Sequence, residues 1–201
     1  MHRIGFKNYI HIILGIITSF SFLAYGGNLT SVTVTPTNPV AGQKSSYRIS
    51  FGTGGELGIS ELPADGKIVI SFPADPAFDL SNDMFAAKIA VLTGGFNTPQ
   101  IQGNSIILQR DGLGNHISAN TAGIQIGVSE IGNPANPYAN VVVNVETRQS
   151  DDTPIDNSNS NPFAIYGPIK QFDFIEPGSQ IVGQAFMLQV FNAFDVNNNP
   201  F

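Results

Sequence analysis

The chain of 201 residues carries nine Lys and Arg against fifteen Asp and Glu, a formal net charge of −6, and contains neither Cys nor Trp. That charge balance repels phosphate backbones, which makes nucleic acid a poor partner. The missing thiols leave no disulfide and no thiolate ligand for a metal. Charged residues are only 12% of the chain, about half the usual ~25%, so Asn, Ser, Thr and Gln supply the polar surface.

At the N-terminus, Arg3 and Lys7 precede an apolar run from Tyr9 to Ala24, and Ala24-Tyr25-Gly26 follows. A charged n-region, a short h-region and small residues at the cleavage positions predict a signal peptide over 1–26, cut after Gly26. The run falls short of the ~20 residues of a spanning helix. Export to the cell surface or the medium is therefore expected, with membrane contact only through this signal. Cleavage removes two of the nine basic residues and none of the fifteen acidic ones, taking the net charge from −6 to −8. An exported sandwich without Cys or Trp has no disulfide-on-Trp core of the kind animal immunoglobulin domains use. Aliphatic and Phe packing must hold it together.

Beyond Gly26 the apolar residues alternate, as half-buried strands require. Val32 and Val34 alternate with Thr33 and Thr35; Tyr47, Ile49 and Phe51 with Ser46, Arg48 and Ser50; Ile68, Ile70 and Phe72 with Val69 and Ser71. Further strands are expected at Lys88–Leu92, Ser105–Arg110, Ala122–Ile131, Asn140–Arg148 and Phe163–Tyr166. Turn-forming clusters separate them, such as Gly52-Thr53-Gly54-Gly55, Ala64-Asp65-Gly66, Thr93-Gly94-Gly95 and Gly132-Asn133-Pro134, where Gly supplies positive φ and Asx side chains fold back on the backbone. Leu80–Ala87 could hold a short helical turn capped by Ser81 or Asn82. The polar stretch Asp151–Pro162 reads as a long loop before the last strand.

About eight strands between turn signals predict an all-β, antiparallel immunoglobulin-like sandwich over 27–168. The stretch VTPTNPVAGQKSSYRISF at Val34–Phe51 reappears as IEPGSQIVGQAFMLQVFN at Ile175–Asn192, matching Pro36 with Pro177, Gly42 with Gly183 and Gln43 with Gln184. A self-match at an offset of 141 residues exceeds any solenoid period of ~20–50. It signals tandem domains, with 169–201 as the first strands of a second, incomplete module. Two or three strands alone cannot bury both faces, so this tail is expected to be mobile and readily cleaved after Gly167.

LPADGKIVISFPADPAFDL and IQIGVSEIGNPANPYANVVVNVETRQSDDTPIDN together resemble the immunoglobulin-like modules of large prokaryotic surface and secreted proteins. The resemblance rests on an alternating strand ending in Phe72-Pro73, and on the turn Asn133-Pro134 before the Tyr138 strand. The tail is similar to a second module type through Gly183-Gln184, Asp195 and Asn197–Asn199. The resemblance implies a fold and a role as stalk, spacer or adhesin segment, and carries no activity.

Chemistry-bearing residues are few. His116, the one histidine after Gly26, lies in a glycine-rich loop with no G-x-S-x-G elbow, and reads as a solvated turn residue rather than a catalytic base. Paired carboxylates lack the Trp platforms of a glycan cleft. The one metal candidate is calcium at Asp151, Asp152, Asp156 and Asn157, whose oxygens suit a hard cation. Asp195 with Asn197–Asn199 is a second oxygen-rich stretch. Neither has EF-hand spacing, and the competing reading is Asx-turns in a solvated loop.

The expected function is a non-catalytic structural or adhesive module of a bacterial or archaeal surface protein, partnered by neighbouring domains of its own polypeptide. A cell-surface or extracellular ligand would be a further partner. Adhesion needs an exposed binding face, and no apolar or aromatic patch is evident in the sequence. The alternative is a set of accessory domains before a secreted hydrolase whose catalytic domain lies past Phe201. A carbohydrate-binding module is disfavoured by the missing Trp.

Overall fold

The computed structural model describes residues 27–81, 83–174 and 190–195. The signal-peptide segment 1–26 and most of the repeated stretch 175–192 lie outside them. Within the described residues every regular element is a strand, and no helix is long and apolar enough to cross a membrane.

The elements in order are β1 (Gly27–Asn28), β2 (Thr30–Pro36), β3 (Lys44–Gly52), β4 (Lys67–Ser71) and β5 (Asp79–Leu80). Next come β6 (Ala86–Ala90), β7 (Gln100–Gln102), β8 (Ser105–Gln109), β9 (Ile124–Gly132) and β10 (Tyr138–Val141). The last are β11 (Asn144–Arg148), β12 (Pro154–Asn159), β13 (Phe163–Ile165), β14 (Ile169–Phe174) and β15 (Val190–Asp195).

They form two principal sheets, ordered β1-β12-β11-β4-β8-β7 and β2-β3-β9-β5, with β6 also on β9. Apart from the parallel contact of β1 with β12, all strand pairs are antiparallel. Written as strands A to G, β2-β3-β9-β5/β6 is A-B-E-D and β4-β11-β12 is C-F-G, the pairing of an immunoglobulin-type sandwich. One departure is topological. The extra pair β7–β8 widens the sheet beyond β4, yet enters the chain after the D position rather than before it.

Alternation produces the layers. Tyr47, Ile49 and Phe51 of β3, Ile124, Ile126 and Val128 of β9, and Val32 and Val34 of β2 join Ile68 and Ile70 of β4, Ile106 and Leu108 of β8, and Val141, Val143 and Val145 in one buried cluster. Side chains from both sheets thus share a single apolar core, whose burial drives assembly. Aromatic rings close one end: Tyr47 meets Phe72, Phe78 and Phe163 edge-on, with centroids 5.6, 6.2 and 6.1 Å apart.

A bulge keeps β9 useful past Val128. Ser45 faces Ile131 while Tyr47 faces Val128, so Ser46 opposes both Ser129 and Glu130. Glu130 takes φ 63°, which absorbs the extra residue and returns Ile131 to the core side.

Three expectations are corrected. Among the described residues of Leu80–Ala87 there is no helical turn: β5 and β6 take its two ends as edge strands on β9, and buried Ser81 Oγ has no hydrogen-bond partner among the described residues, so it caps none of them; Asn82 lies outside them. Asp151–Pro162 is not a long loop, because Pro154–Asn159 forms β12 between β11 and β1. Asn140–Arg148 is two strands rather than one: β10 turns away to pair with β13, and β11 pairs with β4 and β12. At the break Ser160 replaces the ladder, since Val143 N–H donates to its Oγ and Ser160 N–H donates to Val143 O, at 3.1 and 2.8 Å.

Past the sandwich, β14 and β15 pair with each other as a two-stranded ribbon.

Candidate functional site

Three surface regions could do chemistry or binding. The first surrounds His116. Its Nε2 lies 3.7 Å from Glu61 Oε2 and 3.4 Å from Ser118 Oγ, beside a shallow cleft of about 210 Å³ lined also by Gly58, Ile59, Pro63 and Gln149. A serine–histidine–acid relay needs hydroxyl and carboxylate on opposite ring nitrogens. Here both address the same nitrogen on an exposed ring, so the acid competes with the hydroxyl instead of orienting the base.

The second region contains the calcium candidates, and the strand β12 pulls them apart. Asp151 caps its own turn, accepting from Thr153 N–H at 3.0 Å, and this bond holds its carboxyl below the usual carboxylate range. Asp152 pairs with Lys67 Nζ at 2.8 Å. With Arg148 it borders a polar groove of about 490 Å³ over Gln100, Ile101, Gln102 and Ile107, on the outer face of the larger sheet.

Asp156 points into the sandwich beside Thr147, its direct partner on β11. It is fully buried, accepting from Gly54 N–H and Ser60 Oγ at 2.9 Å each. Asn157, its neighbour on β12, is half-buried. Among the described residues no group of three or more His, Cys, Asp or Glu could hold a metal ion. Asp195, from the second oxygen-rich stretch, is buried and accepts from Gly167 N–H at 2.8 Å; residues 196–199 lie outside the described ones.

The third region was invisible in the sequence. On the outer face of the smaller sheet, Phe85 and Ile89 stand 62% and 48% exposed. With Ala87, Gly127 and Val128 they line an apolar depression of about 190 Å³. A half-exposed strand with alternating residues looks core-facing in sequence. Only the pairing of β6 with β9 at the sheet edge turns Ile89 outward.

Two buried polar residues hold the loops that frame these regions. Arg110, only 2% exposed, sends Nη1 to Leu62 O and Pro63 O at 3.2 and 2.5 Å. Its Nη2 reaches Asn115 O at 2.6 Å and Thr93 O at 3.4 Å. Burial lowers the guanidinium pKa, and Asp111 and Asp65 oppose that, so the cation persists. At the opposite end Tyr47 Oη donates to Asn133 Oδ1. Asn133 Nδ2 donates to Asn38 O and Val40 O, both at 2.7 Å.

No family model matches the chain, and no curated protein does. Among solved structures it is similar to the crystal structure of the N-terminal domain of the Streptococcus gordonii adhesin Sgo0707, at 14% identity and a TM-score of 0.40. The match covers 67% of this chain and 31% of that one, so the chain spans about a third of its length.

Proposed function

We propose that this chain is a non-catalytic extracellular module, a stalk or spacer joined to neighbouring domains of one exported surface polypeptide. The observation that carries this reading is the junction after β13. Tyr166 is fastened to the sandwich: its N–H donates to Pro39 O, and its carbonyl accepts from Ala41 N–H, both at 2.7 Å. The next residue, Gly167, is already fastened to the ribbon through Asp195. Consecutive residues belong to two units with no slack between them. Loosely tethered domains instead meet through exposed, flexible linkers where few contacts cross. A spacer transmits position, and a joint without free residues suits that task.

Adhesion is a second reading, favoured by the Phe85–Ile89 strip at the sheet edge. Single exposed apolar residues are ordinary on a protein surface, but two neighbouring ones over a glycine-floored depression offer an anchor. Protease shaving of intact producing cells tests the location. Release of peptides from 27–174 without cell lysis is the expected outcome. Peptides obtained only after lysis would contradict it.

A further inference from the structure

Asp156 poses a problem that the described residues leave open. An ionised carboxylate offers about four acceptor sites and no donor, and here Gly54 N–H and Ser60 Oγ occupy two of them. No cation faces it. The opposing residue on β11 is neutral Thr147, the residue across on β1 is Gly27, and the loop supplies Gly54 and Ser60. Glu56 of the same loop is acidic and exposed, and Arg148, one residue past Thr147, pairs with Glu146 and Asp152. A buried carboxylate with no counter-charge is costly to ionise.

The missing partner has a place. β1 lies parallel to β12 with Gly27 opposite Asp156. A Cβ on Gly27 would sit 3.2 Å from Asp156 Oδ1 and 3.1 Å from Ser60 Oγ. N and Cβ share one Cα at bond lengths near 1.5 Å, so the Gly27 nitrogen lies within about 6 Å of that oxygen. Gly27 is also the residue that cleavage after Gly26 would make the first of the mature chain.

We infer that signal-peptide removal creates the counter-ion of Asp156, the α-ammonium of Gly27 docking on its carboxylate as the mature sandwich closes. Hydrolysis of the Gly26–Gly27 amide consumes one water. The acyl side leaves as the Gly26 carboxylate, and Gly27 nitrogen, protonated, becomes an ammonium with three donors where the amide had one. Uncleaved precursor offers no such charge, so export and final stability are coupled. Both glycines fit this arrangement: a Cβ on Gly54 would lie 2.9 and 3.0 Å from the two carboxylate oxygens. The inference rests on the export reading, and the test separates the two.

The test compares three forms of the mature chain to Phe201: one beginning at Gly27 after removal of a tag, one retaining Gly26, and one acetylated on Gly27. Each is made with Asp156 and with Asp156→Asn. The free-amine Gly27 form should melt about 5–10 °C above the other two, and Asp156→Asn should erase that gap. Equal melting of all three, or a gap that survives Asp156→Asn, overturns the inference.

Should Asp156→Asn fail to fold, acetic anhydride labelling at neutral pH gives a second readout on the unaltered chain. The Gly27 amine should react at least about tenfold more slowly folded than in denaturant, because a docked ammonium keeps its proton. Equal rates overturn the docking. N-terminal sequencing of the exported protein tests the reading beneath it. Gly27 first supports the coupling, and any other first residue removes it whatever the melting data show.

Discussion

Arg110 joins three loops through four carbonyl oxygens, and nothing in its sequence neighbourhood announces this. In the chain it closes an alternating strand, where an arginine normally points to solvent. Its acceptors lie at Leu62, Pro63, Thr93 and Asn115, a set that only the fold assembles. Arg110→Met removes every donor and strands buried carbonyls, so a loss of about 3–5 kcal/mol is expected in urea unfolding. Tyr47 sets a pH limit. Burial pushes its hydroxyl well above the ordinary value, so the unfolded chain ionises first. Stability is then fully present below pH ~10 and falls as pH rises beyond it. Tyr47→Phe should cost about 1–3 kcal/mol at neutral pH by leaving Asn133 Oδ1 unpaired, and should flatten the alkaline decline. A decline equally steep in both proteins would assign it to other groups.

Among the elements, the legible strands were those with their own alternation. Ile124, Ile126 and Val128 announced β9, and Tyr47, Ile49 and Phe51 announced β3, because each buries one face against the opposite sheet. β12 was missed for the converse reason. Its sequence, Pro154-Ile-Asp-Asn-Ser-Asn159, holds one aliphatic residue, and it is a strand because β11 and β1 pair with it on both sides. Strand propensity measures fit to neighbours more than intrinsic preference. The β9 bulge was equally hidden, since Glu130 is a residue that rarely takes positive φ. Glu130→Gly should stabilise the chain by about 0.5–1 kcal/mol by relieving that backbone. The exposed ion pair to Lys44 lost with it is worth at most about 0.5 kcal/mol. An unchanged or lowered melting temperature would show that the bulge is not strained. At the edge strand, Phe85→Ser with Ile89→Ser should leave stability within about 0.5 kcal/mol and, on the adhesive reading, weaken attachment of the purified chain to its target surface several-fold. Undiminished attachment would remove β6 from the adhesive reading.

For the molecule as a whole, regular alternation between turn signals sufficed for an all-β sandwich. It could not reveal where the polar residues go. Asp151, Asp152, Asp156 and Asn157 are close in sequence, but the turn into β12 sends them in different directions: into a turn cap, an ion pair, the interior and the strand flank. Asp195 is the sharper case. Read as an oxygen-rich stretch, it instead locks the peptide at Gly167, next to the residue that anchors the sandwich. The spacer reading depends on that lock being closed in solution. Amide hydrogen exchange at Gly167 measures it directly. Protection of the Gly167 N–H at least about a hundredfold above its unfolded rate is expected, lost in Asp195→Ala while Tyr166 stays protected. Free exchange at Gly167 in the unaltered chain, beside a protected Tyr166, would contradict the rigid junction and with it the proposed role.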